Sequence, residues 1–219
     1  MRRLIEHLDV AFTVDKNDTI LRDASVVIEN DRIADIGSAA DIAKRHKGSK
    51  FDETIDGRMK AICPGFVDSH VHLSETLSRA VFPDNLNTRA WVFHWAKPFY
   101  AHVTEEDEYW GAMLGMTEML RGGTTCFLDM GSQYDPGIVV RAMEKTGMRG
   151  ITGRHAADNP PAERPRGWTD EMMHHHFFPN AAAALEELEK CVRKYNGALG
   201  GRARCWVNIE GKEPCTLEL

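Results

Sequence analysis

The stretch Cys63-Pro64-Gly65-Phe66-Val67-Asp68-Ser69-His70-Val71-His72-Leu73 decides the fold. Pro64-Gly65 is a turn signal, and the apolar-rich run behind it ends in His-x-His. As a strand, this run alternates its side chains between two faces. Phe66, Asp68, His70 and His72 fall on one face, and Val67, Ser69, Val71 and Leu73 on the other. Two imidazoles at i and i+2 lie close enough to hold one metal ion between them, and neutral imidazole is a good ligand for zinc or iron. His-x-His is also short and common, and an ordinary pair of strand histidines satisfies it equally well. Its position adds weight. The pair closes the C-terminal end of a strand and leads into polar, loop-like sequence, where α/β enzymes place their chemistry.

Upstream, residues 1–61 read as a small β-domain. Val10 to Val14 and Ala24 to Glu29 are strands, and Asn30-Asp31 makes a hairpin turn into Arg32 to Gly37. A short helix is expected over 39–46, with further β pieces at Thr54 to Gly57 and Lys60 to Ile62. So small a region is expected to pack on something else.

Downstream, over 62–219, strands alternate with helices. Residues 74–103 form a long connection rich in aromatic side chains: Trp91, Phe93, Trp95, Phe99 and Tyr100. Thr104 with Glu105, Glu106 and Asp107 starts a helix that stops at Gly122-Gly123. Thr124 to Asp129 is a second strand, followed by a helix from Pro136 to about Lys145. Arg149 to His155 is a third strand, Asn180 caps a helix reaching about Tyr195, and Arg202 to Glu210 is a fourth strand. His174-His175-His176 reads as an exposed polar loop tract. Four β–α units in a row imply a parallel sheet, either a small doubly wound one or the first half of a (β/α)8 barrel. Polar residues end each strand: His70 and His72, Asp129, Arg154 and His155, then Asn208 and Glu210. Asp129 is read as an anchor for the loop after strand two.

The bulk properties exclude several classes. The 219 residues are 42% hydrophobic and 27% charged, which is ordinary for a globular chain. A net charge of −6 argues against a nucleic-acid partner. No apolar run reaches the length of a membrane span, and Glu6, His7 and Asp9 interrupt any signal-peptide core. Five scattered cysteines without CxxC spacing fit free thiols, and a cytoplasmic location is expected. No Gly-x-Gly-x-x-Gly or P-loop follows a strand, so nucleotide binding has no support.

Pro64-Gly65-Phe66-Val67-Asp68-Ser69-His70-Val71-His72 resembles the strand-one signature of the amidohydrolase superfamily, and Glu118 to Thr125 resembles its first barrel helix entering strand two. The nearest likeness is to the branch that deaminates or dechlorinates heterocyclic rings, which includes the triazine hydrolases. The resemblance implies a small N-terminal β-domain and the first half of a TIM-type (β/α)8 barrel. It implies one divalent metal ion, zinc or iron, held by His70 and His72, and metal-activated water attacking a small heterocyclic substrate at a non-peptide carbon–nitrogen bond. Arg154, His155 and Trp91 are the expected substrate-binding residues. Phe99-Tyr100-Ala101-His102 follows Pro98 where adenosine-type deaminases carry an acid, which argues against a nucleoside substrate. Glu210 and Lys212 end strand four, where binuclear members carry a bridging lysine. Lys212 stands too far past the strand, which favours one metal.

The later barrel strands, with the remaining ligands and proton shuttle, have no counterpart here, so the chain reads as the N-terminal half of such an enzyme. A half barrel is expected to associate or to be poorly stable, and the full-length protein is expected to be a homo-oligomer. Two other readings are a catalytically inactive half-barrel or interaction module, and a cyclic-amide ring-opening or dechlorinating enzyme.

Overall fold

The computed structural model describes residues 1–211 and 213–219; the reading of Lys212 lies outside the described residues. The chain divides into two compact units, Met1–Gly65 and Phe66–Leu219.

The first unit is a five-stranded sheet. Strands β1 (Arg2–Phe12), β2 (Ile20–Glu29) and β3 (Arg32–Ser38) form an antiparallel meander, and the hairpin at Asn30-Asp31 pairs Glu29 with Arg32. The first two strands start earlier than their apolar runs suggest, because their ladder continues from Arg2↔Glu29 to Phe12↔Ile20. Helix α1 (Ala39–Arg45) is capped by Ser38, whose side chain accepts from the Asp41 backbone N–H. Strands β4 (Glu53–Asp56) and β5 (Ala61–Ile62) both run parallel to β1. Leu8, Ala11, Ala24 and Val26 form a small core here.

The second unit opens with β6 (Phe66–Val71), and His72 follows as the cap of a 3-10 turn over Leu73–Ser78. The long connection is not irregular. It contains that turn, α2 (Thr88–Trp91), a π-helical turn over Val92–Ala96 and α3 (Lys97–Tyr100). Helix α4 (Glu105–Arg121) begins with a reciprocal capping box between Thr104 and Asp107. Strand β7 (Thr124–Asp129) leads to α5 (Gly137–Thr146), which ends at Gly147 in the left-handed conformation, φ 77°.

Strand three is split into β8 (Arg149–Thr152) and β9 (His155–Ala156), because Gly153-Arg154 turns aside to bridge Ser132. Helices α6 (Asp170–His176) and α7 (Ala181–Tyr195) follow. Strand four is split in the same way, into β10 (Ala203–Cys205) and β11 (Asn208–Ile209).

The main sheet has the order β10-β8-β7-β6, and every pair in it is parallel; β11 and β9 continue the third and fourth strands as a parallel pair. The core beneath it is built from Leu73, Met116, Phe127, Val139, Met143 and Met148. Gly115 lets the 3-10 turn lie against α4, since a Cβ there would sit 3.0 Å from both Leu73 Cδ2 and Thr76 Oγ1. Packing against α4 thus fixes where the chain goes after His72. Clean alternation along β6 is not observed: its register with β7 shifts twice, and Phe66 and Val67 are both exposed. The His174 to His176 tract is not a loop. It forms the last turn of α6, where His176 is buried and donates from Nε2 to the Lys97 carbonyl at 2.7 Å.

Candidate active site

A cavity of about 300 Å³ opens at the C-terminal ends of the parallel strands. His70, His72, Trp91 and His155 all line it. Arg154 does not; its guanidinium donates to the Ser132 and His155 carbonyls at 3.1 and 2.7 Å. Among the other aromatic residues of the connection, Tyr100 lines the cavity, Phe93 packs on Trp168, and Trp95 and Phe99 pack around Phe82.

His70 ends β6 exposed, and His72 is half-buried behind it, with ring centroids 5.2 Å apart and planes at 64°. Two imidazoles bound to one tetrahedral ion, each nitrogen ~2.0 Å from it, would have centroids roughly 5 Å apart. The separation of the observed pair is compatible with a shared ion. Burial pushes the His72 pKa down, with the Asp129 charge opposing and His70 adding to the fall. The neutral form that a metal requires is thereby favoured. Glu75 Oε1 stands 3.3 Å from His72 Nδ1, which leaves Nε2 as the free ring nitrogen. Among the described residues no group of three or more His, Cys, Asp or Glu side chains is placed to hold an ion. The pair could fill at most two positions of a coordination shell.

Around this pair lie further polar residues, of which Glu75 and Lys97 carried no signal in the sequence. Glu75 is half-buried, and the loss of solvent raises its pKa; it accepts a hydrogen bond from the Tyr100 hydroxyl. Lys97 is only 3% exposed and pairs with Glu210 at 2.5 Å, tying the start of α3 to the end of strand four. Burial lowers the Lys97 pKa, and Glu210 opposes the fall. Asp129 accepts from the Gly131 backbone in the loop after its own strand, and it reaches further. It is fully buried and accepts from the Leu73 backbone N–H at 3.0 Å and from Thr152 Oγ1 at 2.9 Å, so it joins the ends of strands one, two and three.

The sequence model of the amidohydrolase family matches residues 61–209, and the chain belongs to that family. Its four β/α units are the opening half of a (β/α)8 barrel. It is 32% identical over 217 residues to a 5-methylthioadenosine/S-adenosylhomocysteine deaminase of Desulforamulus reducens, a match covering 98% of this chain and 44% of the relative. It is 34% identical over 180 residues to a 5'-deoxyadenosine deaminase of Methanobrevibacter smithii, covering 82% and 36% respectively. Its fold is similar to that of an atrazine chlorohydrolase from Arthrobacter aurescens complexed with zinc. The TM-score is 0.77 at 22% identity, covering 98% of this chain and 48% of that one. The chain thus spans less than half the length of each of these proteins.

Proposed function

We propose that this chain carries the metal-binding first strand and the substrate wall of a cytoplasmic metal-dependent hydrolase that cleaves a non-peptide C–N bond on a heterocyclic ring, releasing ammonia. The observation that carries this reading is the convergence of His70, His72, Trp91 and His155 on one cavity at the C-terminal ends of parallel strands. His70 and His72 would hold one divalent ion, zinc or iron, with further ligands from water or from residues outside those described. Such an ion, when bound, supplies Lewis-acid activation of water for attack on the ring carbon.

The chain's own residues orient the ring and close the site around it. Trp91 stands edge-to-face with His72, centroids 6.2 Å apart at 80°, and offers a flat apolar wall. Lys97 and Glu210 line the same cavity. The deaminase names of the sequence relatives favour an amino leaving group over chloride.

Ammonia release from amino-substituted pyrimidines, purines and triazines, measured with zinc- or iron-loaded protein, tests the proposal. Turnover that disappears in His72→Ala supports it. Turnover indifferent to that substitution, or none with any ring, leaves the inactive or interaction-module reading in its place.

A further inference from the structure

A second set of buried polar groups lies behind the cavity, and neither the metal pair nor the aromatic wall uses it. Glu108 on α4 is 1% exposed, and its Oε1 accepts from the Gln133 backbone N–H at 2.9 Å. Gln133 is itself buried, and its Nε2 donates to His155 Nδ1 at 3.0 Å. The His155 backbone is pinned as well, its N–H donating to the Ser132 carbonyl at 2.9 Å. Gly131, at φ 109°, packs so closely on this strand that a Cβ would sit 3.1 Å from His155 Cβ. The imidazole is therefore held from its backbone, from its flank and through Nδ1. With Nδ1 accepting, the ring proton of the neutral imidazole sits on Nε2. No partner for Nε2 is found among the described residues, and His155 lines the cavity.

We propose that Gln133 is a positioning residue that fixes His155 as a hydrogen-bond donor into the cavity, so that the substrate presents an acceptor, a ring nitrogen or carbonyl oxygen, to His155 Nε2. This rests on reading the cavity as the substrate site. Cationic surroundings work in the same direction. Burial, then the charges of Lys97 and Arg154, hold the imidazole neutral, with its pKa well below the ordinary range. A neutral donor of this kind does not protonate the ring it binds, and it is unavailable as a metal ligand at Nε2. An amino-heterocycle whose acceptor nitrogen adjoins the reacting carbon matches both features.

Nitrogen-15 NMR of histidine-labelled protein tests this without turnover, so its outcome is separate from that of the hydrolase reading. The wild type is expected to show His155 with Nε2 protonated and Nδ1 bare. Gln133→Glu offers Nδ1 a carboxylate, and the proton is expected to move to Nδ1. Gln133→Leu removes the director and is expected to give a mixture of the two forms. The Gln133 backbone bond to Glu108 survives in both variants, so the turn is retained. Added pyrimidine, with two ring acceptors, is expected to shift the Nε2 resonance, and benzene of the same shape is not. A wild-type proton on Nδ1, an unchanged pattern in both variants, or no distinction between pyrimidine and benzene overturns the proposal.

Discussion

Replacing Glu108 by Gln removes a carboxyl group that the fold keeps away from water. Its Oε2 is buried with no hydrogen-bond partner among the described residues. Burial raises its pKa from 4.5 to about 7, only partly offset by the Gln133 N–H. Between those values the native chain holds a proton that the unfolded chain has released. Stability linked to this group is therefore fully present below pH 4.5 and falls as pH rises through about 7. At about 1.4 kcal/mol per decade, the loss is on the order of 3 kcal/mol.

Glutamine keeps the acceptor for Gln133 and does not titrate. Urea unfolding of wild type and Glu108→Gln, measured from about pH 4.5 to about pH 8, isolates the group, because other titrations cancel in the difference. The wild type is expected to lose about 3 kcal/mol relative to the variant across that range. Stability profiles that stay parallel would refute the assignment of a buried, proton-retaining Glu108.

Three further outcomes follow from the packing around the cavity. Lys97→Met leaves Glu210 without its partner and is expected to cost about 3–5 kcal/mol in urea unfolding, whereas Lys97→Met with Glu210→Leu recovers most of the loss. Tyr100→Phe strips the half-buried Glu75 of its donor and is expected to cost about 1–3 kcal/mol by the same measurement. Strands β6 and β10 are the edges of the main sheet, and Phe66, Val67, Trp206 and Val207 are 60, 67, 53 and 57% exposed. Concentration-dependent association is expected in sedimentation velocity, and Val67→Lys with Trp206→Lys is expected to shift the distribution toward monomer.

The order of the β/α units was legible because each carries its own local chemistry. Thr104 and Asn180 cap their helices as read, Gly147 stops α5, and Pro64-Gly65 marks the entry to the first parallel strand. The histidine pair was legible for the same reason: two residues in sequence become neighbours on any strand. What escaped was decided by long-range burial. His174 to His176 look polar in sequence, but α6 turns His176 inward to meet the Lys97 carbonyl. Strand three breaks where Arg154 bridges to Ser132, a contact no local pattern announces. Glu108 sits among first-turn acids that read as a solvated helix start, and only tertiary packing separates it from exposed Glu105 and Glu106. Gln133 carried no signal at all, since its role depends on a histidine 22 residues away.

Zinc titration of the histidine-labelled protein tests the central claim most directly. The ring nitrogens of His70 and His72 are expected to shift together and to saturate at one ion per chain, with neither response left in a His70→Ala/His72→Ala variant. Zinc that leaves both rings unperturbed, or that shifts only His174 to His176, would contradict a metal site at the end of the first strand.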